Sequence, residues 1–185
     1  YITNRIMQND YGDDSYTMEV ELGYADLIGA LDELDADDEI MALDVRGRDP
    51  DDSFSSIPYE KGALFLYEIE QAIGREAFDA FVIEYFKAFE FKSIHTEACL
   101  AYLEETLLAE HGDVLDADRV REWIYEPGLP EGAPAPTSDA FTGVDSARAD
   151  WLAGTLAAAA IDTAGWPFHQ WTHFLAGMPE ALTGD

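Results

Sequence analysis

Two apolar runs lie back to back at residues 57–73 and 76–91, parted only by Gly74 and Arg75, and they leave little room for any fold but a helical one. In the second run Phe78, Phe81, Val82, Tyr85, Phe86 and Phe89 fall at i, i+3, i+4, i+7, i+8 and i+11, one face of a helix. A strand needs alternation at two residues, and neither run shows it. A chain whose strongest apolar segments are helical buries them against other helices. The expected fold class is therefore all-α.

The remaining segments agree. Residues 1–34 read as helical with a break near Gly12, and Met18, Leu22, Ala25 and Ile28 form a stripe in the second part. Ser55 or Ser56 is placed to cap the helix 57–73, Pro58 fits its first turn, and Gly74 stops it. Thr96 is placed to cap a further helix with Leu100, Leu103 and Leu107 inside, and Asp116 another with Val120, Trp123 and Ile124 inside. The aromatic stripe of 76–91 is expected in the core. PGLPEGAPAPTSDA, from residue 127, reads as a strap over the surface. Two last helices are expected at 145–161 and 167–176, broken at Gly165-Trp166-Pro167.

Charge narrows the function. The chain has 185 residues, with 39 acidic against 10 basic and a net charge of −29. Such a surface has nothing to exchange for the counterions of nucleic acid, and it repels an anionic membrane. No apolar run reaches the ~18 residues of a membrane span. The aromatic content of 12% argues against disorder. The acidity reads either as a solubilising surface or as a cleft for cations and free amines. The single cysteine, Cys99, excludes an internal disulfide and a zinc site built mainly from cysteine. The chain opens on Tyr1 and not on Met, so a fragment or processed product is expected.

Few residues promise chemistry. His169-Gln170-Trp171-Thr172-His173 sets two histidines at i and i+4, the spacing of a zinc helix. Gln170 stands where a general base would be, and an amide cannot take a proton. A third ligand would have to come from His95, His111 or a carboxylate, so a helix with ordinary packed and wet histidines is the better reading. The acidic run 35–39 reads as a solvated loop. The more unusual stretch is SSIPYEKG, residues 55–62, where a phenol, an acid, a base and a glycine crowd the start of an otherwise apolar helix. Tyr59 there is placed to offer its O–H to an oxyanion, although most such tyrosines pack with a wet tip.

SSIPYEKG with the apolar helix behind it, FEFKSIHT at 89–96 and WIYEPGLP at 123–130 together resemble the gluzincin zinc aminopeptidases, in particular the leukotriene hydrolase/aminopeptidase branch. The similarity covers residues 40–135 well and both ends loosely. The resemblance implies the helical lobe of a thermolysin-like catalytic domain over 1–126, the strap over 127–144, and the start of a truncated helical C-terminal domain over 145–185. It implies a zinc held by an HExxH motif and a downstream Glu, neither of which occurs in this chain. The motif is expected upstream, in the N-terminal remainder of the same polypeptide.

By the same resemblance, Tyr59 matches the tyrosine that hydrogen-bonds the tetrahedral intermediate, while Glu60 and Lys61 are structural neighbours. Asp51 matches an aspartate that directs water in epoxide chemistry, and Phe54 stands where that branch carries a second tyrosine. A plain aminopeptidase acting on peptide N-termini is thus favoured over an epoxide hydrolase, with this chain inactive alone. The rival from another class is an acidic helical interaction module without catalysis.

Overall fold

The structure is a computed structural model that describes residues 1–49 and 51–179, except the side chain of Asp52. The end of the expected third domain, 180–185, and Pro50 of the polar loop lie outside the described residues. Among the described residues there is no strand. The α-helices are α1 (Ile2–Tyr11), α2 (Asp13–Glu33), α3 (Ile57–Ile73), α4 (Arg75–Ala88), α5 (Thr96–Leu103), α6 (Ala109–His111), α7 (Ala117–Tyr125), α8 (Thr142–Leu152) and α9 (Phe168–Ala176). The fold class is all-α, as expected.

The chain divides into two compact units. The first holds Tyr1 and residues 26–134, and the second holds residues 2–25 with the chain from Ala135 onward. Helix α2 runs through the division at residue 26, and this corrects the expected stripe. Tyr16 and Met18 are buried with the second unit and Leu27 with the first, while Ala25 and Ile28 are exposed. Tyr16 and Leu27, eleven residues apart, lie about 20° from each other round the helix, whereas the expected stripe runs along the other side, where Met18 is buried and Ala25 and Ile28 are exposed.

The first unit is organised around α3. Pro58 sits in its first turn, where a missing N–H costs nothing. Ser56 occupies the N-cap position without a side-chain bond; Ser55 Oγ accepts instead from the Ile57 N–H at 3.3 Å. Gly74 ends the helix at φ 84° and ψ 157°, a region almost closed to other residues. Ile57, Leu64, Phe65 and Ile69 are buried along one face. Trp123 of α7 is fully buried beside Phe65, ring centroids 5.9 Å apart. Its indole N–H donates to Glu68 at 2.9 Å, and Arg119 donates to both oxygens of the same carboxylate. That bidentate pair ties α7 to α3 by charge-assisted bonds.

Asp116 caps α7 as expected, accepting from the Asp118 N–H at 3.0 Å. Leu100, Leu103 and Leu107 are buried as expected, although the helix widens into a π turn at Glu104–Leu108. The cap of α5 is one residue earlier than expected: His95 accepts from the Ala98 N–H, and Thr96 is already helical. On α4 only Phe78 is buried. Phe81, Tyr85 and Phe89 instead cluster with Tyr102 of α5 at centroid distances of 5.2–6.0 Å, and Phe86 is exposed. The spacing gave the face correctly, but the short α5 covers only part of it.

In the second unit Phe141 and Val144 are buried, and Phe141 stacks flat on His173 at 3.9 Å. Phe174 packs against Trp151 and Trp166. Helix α8 stops at Leu152, where a helix to 161 was expected. Gly154 takes φ 73°, and the N–H groups of Thr155 and Leu156 both turn back to the Asp150 carbonyl. Only a short 3-10 turn, Ala158–Ala160, follows.

Candidate active site

The start of α3 turns its two sides to different surroundings. Ile57, Lys61 and Leu64 lie at i, i+4 and i+7 and face the core. Tyr59 lies between them in sequence and about 200° round the helix from Ile57, so it faces out. It is 60% exposed. Among the described residues its hydroxyl has no hydrogen-bond partner, so its donor is free for a ligand oxygen.

The loop before α3 forms the surroundings of that phenol. The Phe54 ring meets Tyr59 edge-on, centroids 6.0 Å apart and planes at 61°. Phe54 is itself 75% exposed, so this contact guides the Tyr59 ring without burying it. Asp51 opens the 3-10 turn Asp51–Ser53 and donates its N–H to Asp49 at 3.0 Å, and its carbonyl accepts from the Phe54 N–H at 3.4 Å. Its side chain is exposed. Upstream, Arg46 pairs with Asp44 and holds that carboxyl down to about 2, and Arg48 pairs with Asp38. Asp51, Phe54 and Tyr59 thus lie on one loop-to-helix segment.

Lys61 is the residue whose surroundings the sequence reading missed. It is fully buried, and its ammonium donates to the Glu39 carbonyl at 3.0 Å and the Glu126 carbonyl at 2.8 Å. Burial pushes it down to about 8, against the pull of the Glu39 and Glu126 carboxylates. The signal was present: Lys61 stands in the apolar stripe of Ile57, Leu64 and Ile69, so its stem had to enter the core.

The HQWTH histidines are separated by their partners. His169 Nε2 lies 2.9 Å from Glu19, and His173 Nε2 lies 2.7 Å from Asp145, which also receives Arg148. Gln170 donates to the Ala140 carbonyl at 2.7 Å. His95 caps α5 and pairs with Glu97. Among the described residues no three of His, Cys, Asp and Glu stand together as metal ligands, so the residues present do not fit a zinc.

The profile of the peptidase family M1 domain matches residues 1–123. "Leucine aminopeptidase 2" of Chaetomium globosum is 32% identical over the whole of this chain, which spans 32% of that protein. "Leucine aminopeptidase 2-1" of Meyerozyma guilliermondii is 35% identical over 72% of this chain and 22% of its own length. Among solved structures, native yeast LTA4 hydrolase is similar over 95% of this chain and 30% of its own, with a TM-score of 0.83 and 27% identity. Its complex with bestatin gives a TM-score of 0.79 over 94% of this chain. The chain thus spans a third or less of the relatives it matches. With a family profile over two-thirds of its length and full-length similarity to a named aminopeptidase, the chain belongs to peptidase family M1.

Proposed function

We propose that this chain is the helical part of the catalytic domain of a zinc aminopeptidase, joined by its strap to the start of a helical C-terminal domain. In this reading the whole protein removes N-terminal residues from peptides, and the chain alone is inactive. The observation that carries it is the outward Tyr59 phenol, its hydroxyl free, at the head of a helix whose opposite side is locked in the core. A zinc bound in the whole protein would polarise the scissile carbonyl, and its ligands would come from outside these residues. Tyr59 donates its O–H to the oxygen that gains charge in the tetrahedral intermediate. Phe54 keeps the ring edge-on and brings no second hydroxyl, and Asp51 stays on the loop without a part in peptide hydrolysis.

The test uses the full-length protein that carries this chain. Tyr59→Phe removes one transition-state donor, so kcat falls ~10²–10³-fold while KM moves little. Phe54→Tyr leaves peptidase activity within a few-fold. A folded, zinc-loaded Tyr59→Phe enzyme with normal kcat would return Tyr59 to packing. A full-length protein with no peptidase activity at all would favour the interaction-module reading.

A further inference from the structure

Lys61 is a buried cation that the chemistry of Tyr59 leaves unused, and its burial is not explained by packing alone. The rest of its stripe, Ile57, Leu64, Phe65 and Ile69, is apolar. A Met there would fill similar space without removing a charge from water, which is costly even when the charge is hydrogen-bonded. What an ammonium provides and a thioether does not is direction.

The two acceptors show what is being held. Glu126 is the C-cap of α7, where the chain leaves the helix for the strap. Glu39 closes the short turn Ala36–Asp38 after α2. These carbonyls lie where helices leave backbone acceptors without partners. The Ala42 N–H donates to the Ile124 carbonyl at 3.0 Å, so the same two segments are also joined beside Lys61. Gly62, the next residue, brings α3 close to Met41, whose sulfur would lie 3.7 Å from a Cβ there. The head of α3, in contrast, has no side-chain cap from Ser56 and only the longer 3.3 Å bond from the Ile57 N–H to Ser55 Oγ. Its position is thus set from beneath, at the residue two after Tyr59.

We infer that Lys61 is a positioning residue, whose two bonds to the Glu39 and Glu126 carbonyls fix the first turns of α3 and so the point from which Tyr59 offers its hydroxyl. The inference rests on the reading of Tyr59 given above. Hydrogen bonds to two fixed points set a location that apolar contacts allow to slide, and a displacement of about 1 Å at a reacting group costs up to ~10²-fold in rate.

The experiment is a double-mutant cycle in the full-length, zinc-loaded enzyme, with kcat and KM for a peptide substrate, zinc content and folding measured for each variant. Lys61→Met lowers kcat ~10- to 100-fold with KM within about threefold. In a Tyr59→Phe background the same change costs less than about threefold, because there is no phenol left to misplace. Lys61→Arg is the second variant, should Lys61→Met not fold. It keeps the charge but lengthens the side chain, so it too lowers kcat in the Tyr59 enzyme and not in the Tyr59→Phe enzyme. Normal kcat in both Lys61 variants overturns the inference, as does an equal loss in both backgrounds. The Tyr59→Phe single variant reads the underlying assignment separately: if it alone leaves kcat unchanged, the role of Tyr59 fails first.

Discussion

Lys61 makes the stability of the chain answer to pH in a direction opposite to that of a lysine paired at the surface, whose folded state holds its proton more tightly. Unfolded, its ammonium titrates near the ordinary 10.5; folded, near about 8. Between those values the unfolded chain binds more protons than the folded one, so stability rises with pH across that window. Below pH 7 both states are protonated and the contribution is constant. The check is a denaturant series on wild type and Lys61→Met: the stability difference between them shifts in favour of wild type from pH 8 to 10. A difference that stays level would mean that burial does not depress this lysine. The place of Tyr59 in the first turns of α3 was legible in the sequence because P-Y-E-K-G is a local pattern. The burial of Lys61 was legible from its place in the stripe, but its partners were not. They are backbone carbonyls at Glu39 and Glu126, and a carbonyl carries no residue signature.

At the scale of elements, α3 was legible to the residue because its limits are local: Ile57 follows the serine pair, and Gly74 takes a conformation that suits glycine. Gly74→Ala meets no atom within 4 Å, so its cost is backbone strain alone, about 1–3 kcal/mol of stability. Gly29→Ala is the counterpart. It lies inside α2 with ordinary φ and equal room, so alanine there stabilises by about 0.5–1 kcal/mol. Thermal melts of the two variants should move in opposite directions, and a shared sign would refute the backbone argument. What the sequence did not show on α2, α4 and α8 depended on the surroundings. On α2 Tyr16 and Leu27 are buried on the side away from the expected stripe, the stripe on α4 outruns the short α5 beside it, and α8 ends at the Asp150 turn despite a run of alanines that favours helix.

Over the whole molecule, charge is the dominant long-range term. Ten basic residues cannot pair 39 acids, and ion pairs such as Arg46–Asp44 and Lys87–Glu84 sit on the surface, where they contribute little. The remaining carboxylates repel one another over a screening length that shrinks from about 30 Å at 0.01 M salt to about 3 Å at 1 M. The melting temperature should therefore climb as monovalent salt is raised over that range; a flat or falling curve would mean that the acids are already compensated. Chain order has its own consequence. Residues 2–25 belong with residues 135 onward, and all of the first unit but Tyr1 is made between them. A ribosome adding about 5–20 residues per second needs on the order of ten seconds to cross that gap. Within this chain helix α1 and the first half of α2 thus leave the exit tunnel ahead of their partners and must wait for them, while the unit encoded between can fold before they meet.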